Sequence, residues 1–170
     1  MHSFNNDGEL LPEELDTINR LTKAPIHLLS LDAIAVATNI YRIAQGLRNK
    51  MEREVLSKYG LSWTAFSIVY DLWIWESMET RKLAESAGVS KATVSNITKT
   101  LEQKGLCYRR SDNRDRRITY VVLTDEGRQV MEDLYPRFHK GEVEIVSGLS
   151  EEEQKGMTKL LRKVIRDNHF

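Results

Sequence analysis

The stretch Leu83-Ala84-Glu85-Ser86-Ala87-Gly88-Val89-Ser90-Lys91-Ala92-Thr93-Val94-Ser95 decides the reading of this chain. It has the spacing of a helix-turn-helix. Ala84 is small and lets a second helix approach closely, Gly88 permits the backbone conformation of a tight turn, and Ser90 stands where it can cap the second helix. Over residues 91–104, Val94, Ile97 and Leu101 fall on one face and, with Val89, point toward a core. The opposite face carries Ala92, Ser95, Asn96, Lys99 and Gln103, with Lys91 and Thr93 beside it near the N-terminus. Small and amide side chains so placed can enter a major groove and read base edges, and the two lysines can reach guanine or phosphate. A plain helical hairpin in a bundle would share this spacing, so the flanking sequence has to discriminate.

Immediately downstream, Gly105 closes the second helix. Residues 106–110 and 118–123 then read as two strands around the polar loop Ser111-Asp112-Asn113-Arg114-Asp115-Arg116-Arg117. A protruding loop bearing Arg114, Arg116 and Arg117 suits the narrow, electronegative minor groove. Carboxylates among those arginines oppose DNA binding unless Asp115 orients one of them through a bidentate pair. A charged turn kept soluble by its own ion pairs is the plainer reading of the loop alone. Two strands make no independent sheet, so the hairpin must lean on the helix pair as a wing.

Upstream, residues 31–58 follow a helical pattern through Val36, Ile40, Ile43, Leu47 and Met51, closed by Gly60. Ser62 caps a helix reaching about residue 76 that is apolar nearly all round, which predicts the buried centre of the fold. Near the N-terminus, residues 1–9 are polar and expected to be disordered. Pro12 opens a short helix that Pro25 should end. Beyond the wing, Thr124 caps a helix to about residue 148 with a bend expected at Pro136. Ser150 and Glu153 form a capping box for a last helix whose apolar face is Met157, Leu160, Leu161, Val164 and Ile165. The predicted fold class is mainly α with a small two- or three-stranded β-wing. The predicted organisation is an N-terminal extension (1–30), a helical dimerisation region (31–60 and 124–170) and a winged helix-turn-helix lobe (61–123).

The 170 residues hold 25 basic and 25 acidic side chains, yet the charge is not uniform. Residues 81–117 carry 10 basic against 4 acidic, residues 1–80 carry 7 against 11, and residues 118–170 carry 8 against 10. A neutral chain with one basic block carries a localised anion-binding surface, although a solvated basic face would account for the charge alone. A single cysteine excludes an internal disulfide framework and fits a reducing compartment. No apolar run reaches the roughly 18 to 20 residues of a membrane span. No secretory signal is read, so a cytoplasmic location is expected. There is no P-loop, no Gly-x-Ser-x-Gly elbow and no His-Glu-x2-His helix, so an enzyme is not expected. The histidines, His2, His27, His139 and His169, are scattered, and neither a metal site nor a cofactor is expected.

The region from about residue 31 to the C-terminus resembles the MarR family of bacterial winged helix-turn-helix regulators. The resemblance rests on Ala84…Gly88-Val89-Ser90…Val94, on Leu101-Glu102-Gln103-Lys104-Gly105-Leu106, and on Asp112-Asn113-Arg114-Asp115-Arg116-Arg117 followed by Leu123-Thr124-Asp125-Glu126-Gly127. It implies a transcriptional regulator, most often a repressor, acting on double-stranded DNA as an obligate homodimer whose first and last helices pair with those of the second subunit. It implies DNA contacts from Ser90, Lys91, Thr93, Ser95, Asn96, Lys99, Arg114, Asp115, Arg116 and Arg117. Arg117 matches the family's wing-tip arginine, and Asp115 the acidic residue that positions it. The residues agree on the dimer, since the apolar stripes of the first and last segments exceed what one small lobe can cover. A twofold dimer would set its recognition helices roughly 34 Å apart on a pseudo-palindromic operator.

The resemblance further implies release of DNA by a small aromatic or phenolic anion held between the dimerisation helices and the DNA-binding lobe. Tyr41, Arg48, Trp63, Phe66, Tyr70 and Trp73 are the candidates to line that pocket, as aromatic faces with one cation suit an aromatic carboxylate. Core packing is the plainer role for each aromatic. Two alternatives stand beside this reading: a winged-helix module that binds protein, and a redox-sensing regulator acting through Cys107.

Overall fold

A computed structural model describes residues 12–23 and 29–169. The polar N-terminal residues 1–9 and the helix stop expected at Pro25 lie outside the described residues. The chain divides into two compact units, Met1–Gln45 and Gly46–Phe170. In the first, Pro12 opens helix α1 (Pro12–Thr22), where an Asp16–Arg20 pair at 2.8 Å spans one turn. Helix α2 (Leu31–Glu54) begins after Ser30, whose hydroxyl accepts the Ala33 N–H at 3.3 Å.

The helix expected to run to residue 58 ends at Glu54 and tightens into a 3-10 turn, Leu56–Tyr59, closed by Gly60 in the left-handed conformation (φ 60°). The tighter turn drives Leu56 fully into the core and turns the Gly60 carbonyl outward, where Lys104 Nζ donates to it at 2.6 Å. Helix α3 (Trp63–Trp75) follows its Ser62 cap and supplies the middle of the core through Phe66, Ile68, Val69 and Leu72. A helix apolar nearly all round can sit nowhere else, because elements pack against it on several sides. Those elements are α5 (Lys91–Gln103), a three-stranded sheet and α6 (Asp125–Ile145), which carries Pro136 inside its span; α4 (Thr80–Ser86) packs against α5 and the sheet.

The sheet is antiparallel in the order β1-β3-β2, with β1 (Ser77–Glu79), β2 (Cys107–Ser111) and β3 (Thr119–Leu123). Cys107 pairs with Leu123 and Ser111 with Thr119 across the wing, and Met78 pairs with Val121 on the other edge. The third strand completes the hairpin read from the sequence. Ser77-Met78-Glu79 shows no alternation of its own. It is extended because Glu76 turns the chain at φ 61° and its carbonyl accepts the Leu123 N–H at 2.9 Å. Glu76 also pairs with Arg128 at 3.2 Å, which helps offset that unfavourable backbone conformation.

The wing base is fastened at one joint. Thr124 donates its N–H to the Leu106 carbonyl (3.2 Å) and its hydroxyl to the Gly105 carbonyl (2.6 Å), and the same hydroxyl caps α6 by accepting the Gly127 N–H at 3.0 Å. A Cβ at Gly127 would strike the Leu106 carbonyl oxygen and stand 2.7 Å from Leu123 Cδ1. The last helix, α7 (Glu151–Asp167), carries the expected Ser150–Glu153 capping box and buries none of its residues. No helix among the described residues is long and apolar enough to cross a membrane.

Gly127→Ala should destabilise the fold by at least about 2 kcal/mol, because the carbonyl it meets is backbone and cannot swing away. Chemical denaturation followed by circular dichroism checks this; a midpoint equal to wild type would show that the joint tolerates a Cβ.

Candidate nucleic-acid interface

Helix α5 is built with one face committed. Val94, Thr98 and Leu101 are fully buried, and Val89 and Ile97 pack partly buried against the same core. Thr98 was not legible as a core residue, since its hydroxyl has to be paid off locally; it donates to the Val94 carbonyl at 2.8 Å. The turn before α5 closes on Gly88 at φ 63°, with the Val89 N–H bonded to the Ala84 carbonyl at 3.0 Å. Ser90 Oγ caps the helix by accepting the Thr93 N–H at 3.1 Å, and the two hydroxyls bond each other at 2.9 Å.

What remains outward is the face read from the sequence. Lys91, Ala92, Thr93, Ser95, Asn96 and Lys99 are all exposed. Two lysines, an amide and small side chains on a straight helical face can approach a nucleic-acid groove without steric obstruction.

The wing loop is folded by its own acidic residues. Asp112 Oδ1 accepts the N–H groups of Arg114 (2.8 Å) and Asp115 (3.0 Å), and these bonds hold its carboxyl below the usual carboxylate range. Asp115 accepts Arg117 Nε at 3.0 Å and Nη2 at 2.9 Å, one bond to each carboxylate oxygen, and also the Arg117 N–H at 3.0 Å. The guanidinium beside it lowers the Asp115 pKa. Arg117 is nevertheless 90% exposed, so the pair orients the side chain without withdrawing it. Arg114 and Arg116 are exposed on the same loop.

A second pair of this kind was not foreseen. Glu102, on α5, accepts Arg109 Nε at 2.8 Å on one carboxylate oxygen and the Arg109 backbone N–H at 2.7 Å on the other, and Nη2 stands 2.7 Å from the first oxygen as an ion pair. The bonds from Arg109 hold the Glu102 carboxyl below its ordinary range. A cleft of about 230 Å³ lies between α5 and the wing, lined in part by Lys91, Ser95, Arg109 and Arg117. Arg109 reads in sequence only as one residue of a strand; its seven-residue separation from Glu102 signals nothing until the chain turns at Gly105.

The effector candidates fall differently. Tyr41 belongs to the first unit and is 68% exposed. In the second unit, Trp63, Phe66, Tyr70 and Trp73 form one aromatic ladder with α6. Phe66 stacks on Phe138 at 4.2 Å, Tyr70 lies 5.5 Å from Tyr135, and Trp73 lies 5.1 Å from Tyr135. Arg48 pairs with Glu52 at 3.6 Å, and Glu52 accepts the Trp63 N–H at 2.7 Å. Tyr135 and Phe138, spaced three apart on α6, are the ring partners that reading α3 by itself missed. Among the described residues no group of three His, Cys, Asp or Glu side chains could hold a metal ion.

This geometry has relatives. The MarR family model matches residues 61–119. The chain is 56% identical over 169 residues to the uncharacterized HTH-type transcriptional regulator YwaE of Bacillus subtilis, covering 99% of both chains. Among solved structures, it resembles Sco3205 of Streptomyces coelicolor, a MarR family transcriptional regulator in complex with DNA (TM-score 0.74, 20% identity, 85% of this chain and 92% of that one). It also resembles BpsR of Bordetella bronchiseptica, whose DNA binding is regulated by 6-hydroxynicotinic acid (TM-score 0.69, 22% identity, 76% of this chain and 98% of that one). A basic helix-turn-helix with a braced wing, together with near full-length identity to a helix-turn-helix regulator, places the chain in the MarR family of DNA-binding transcriptional regulators, which are not enzymes.

Proposed function

We propose that the protein is a cytoplasmic repressor that binds a pseudo-palindromic operator as a homodimer, with the exposed face of α5 in the major groove and the wing in the minor groove. The observation that carries this reading is the Asp115–Arg117 pair: a fully presented arginine held in a fixed orientation at the tip of a protruding loop. An arginine spent on stability alone would be expected to lie along the surface; an exposed pair of this kind adds little to folding. The contacts proposed are those of Ser90, Lys91, Thr93, Ser95, Asn96, Lys99, Arg114, Arg116 and Arg117, with Asp115 positioning Arg117. Ser90 contributes as the cap that aims the helix N-terminus.

Dimerisation is supported by apolar side chains that α6 and α7 leave in water. Leu160 is 66% exposed and Ile165 49% on α7, which buries none of its residues, and Val143 is 53% exposed on α6. A second subunit is the occupant that removes this surface from solvent and at the same time gives the operator its twofold symmetry. The proposed effector is a small aromatic anion, supported by the ring ladder of Trp63, Phe66, Tyr70 and Trp73, by Arg48, and by the regulation of BpsR, a structural neighbour, by 6-hydroxynicotinic acid. It would act by favouring a dimer whose recognition helices no longer match the groove spacing.

A redox role for Cys107 finds no support in its surroundings. The thiol is 3% exposed, and burial is the main cause that pushes its pKa up to about 12. The buried thiol therefore stays protonated at pH 8, and the protonated thiol is not the reactive form.

Three outcomes are expected. Fluorescence anisotropy with DNA from upstream of the protein's own gene should give tight, salt-dependent binding, lost at least tenfold in Arg117→Ala with the dimer intact by light scattering. Equal affinity of the variant would remove the wing from the interface, and no wild-type binding even at low salt would favour a protein-binding winged helix. Leu160→Asp should shift the protein toward monomer in analytical ultracentrifugation, whereas an unchanged dimer would place the interface elsewhere. Native protein at pH 8 should leave Cys107 unmodified by a thiol reagent until denaturant is added; rapid native labelling would revive the redox reading.

A further inference from the structure

We infer that the cleft between α5 and the wing seats one strand of the DNA backbone, with Arg109 as a phosphate-binding residue that Glu102 sets in place. The inference rests on the DNA-binding reading above. A helix in the major groove and a loop in the neighbouring minor groove have a phosphodiester strand between them, so a strand must cross the gap separating α5 from the wing. In this protein that gap is a formed cleft of about 230 Å³. Lys91 and Ser95 border it from α5, Arg109 from β2, Arg117 from the wing and Arg81 from α4. Glu79 is the one carboxylate on the lining, while Arg81, Arg109 and Arg117 are paired with Glu85, Glu102 and Asp115 outside it, so an anion in the cleft would be met by Lys91 and by the N–H groups those pairs leave over.

Arg109 is held as a phosphate ligand should be. Glu102 takes the Nε hydrogen bond and ion-pairs with Nη2 through the same oxygen, which leaves the Nη1 side of the guanidinium for another acceptor. The side chain remains 42% exposed. Asp115 takes hydrogen bonds from both Nε and Nη2 of Arg117. Two arginines on the cleft are thus splinted by carboxylates, Arg109 from α5 and Arg117 from within its own loop. Each has given up its conformational entropy before DNA arrives, so less is lost when a phosphate is bound. Because Glu102 also accepts the Arg109 N–H, the pair sets the start of the wing relative to α5. Glu102 is therefore a positioning residue rather than a contact.

The test uses the full-length protein and a duplex that it selects from a random-sequence pool, with a scrambled duplex as control. Arg109→Gln should weaken binding about tenfold on both duplexes and reduce the slope of log affinity against log salt by about 1, as the loss of one phosphate contact requires, with melting temperature and dimer unchanged. In parallel, a single neutral methylphosphonate is walked along the selected duplex. Wild-type protein should lose affinity at a linkage where Arg109→Gln loses none; this readout on wild type does not depend on how the variant folds. Glu102→Gln should weaken wild-type binding yet leave the Arg109→Gln protein unchanged. If Glu102→Gln instead tightens wild-type binding, the carboxylate only repels DNA and the positioning role falls. Wild-type affinity and salt slope in Arg109→Gln would overturn the phosphate seat while leaving DNA binding intact. Failure of the wild type to select any duplex would overturn both.

Discussion

The carbonyl groups of Gly105 and Leu106 hold the recognition helix, the wing and α6 in one relation. Thr124 reaches both of them, through its hydroxyl and its N–H, while its hydroxyl starts α6. Gly127 then lets the first turn of α6 lie directly on the Leu106 carbonyl. Three elements whose relative angles set the proposed groove contact are thereby fixed at their shared root by the hydrogen bonds of one residue. The apolar packing around α3 supplies the stability, but it is non-directional; this joint supplies the direction.

From that root, α5 is restrained along its length. Its buried side carries Val94, Thr98 and Leu101, its C-terminal lysine, Lys104, bonds the carbonyl of Gly60, and Glu102 reaches β2. A helix held in so many places resists bending, so the proposed regulation would move one whole lobe of the proposed homodimer against the other and change the separation of two unchanged readers. The acidic residues around the wing fit the same logic. They cost attraction for DNA, and what they return is arginines that point in set directions.

Much of this was legible in the chain. Ala84, Gly88 and Ser90 mark a helix-turn-helix because turn and cap chemistry are local. That Asp115 orients a neighbouring arginine was legible for the same reason, and the family resemblance pointed to Arg117 as its partner. The strand Ser77–Glu79 was not, since its extended form comes from pairing with residues more than forty positions away. Nor was the shortening of α2 into a 3-10 turn, which depends on the burial of Leu56 and on a lysine from α5. The α3 aromatics were visible as a group, but their partners Tyr135 and Phe138 could be identified only once α6 lay beside them.

The sequence by itself determined the order of the helices and of the two wing strands, the buried centre at α3, the outward face of α5 and the charge of the wing, because periodicity, caps and turn residues act within a few positions of one another. The tertiary structure decided which cations share a cleft. Glu102 and Arg109 are joined only when the chain reverses at Gly105, and Lys91 meets Arg117 only when the wing folds back beside α5. Electrostatic contacts depend on separation in space, and spacing along a chain does not report that distance across a turn or between elements.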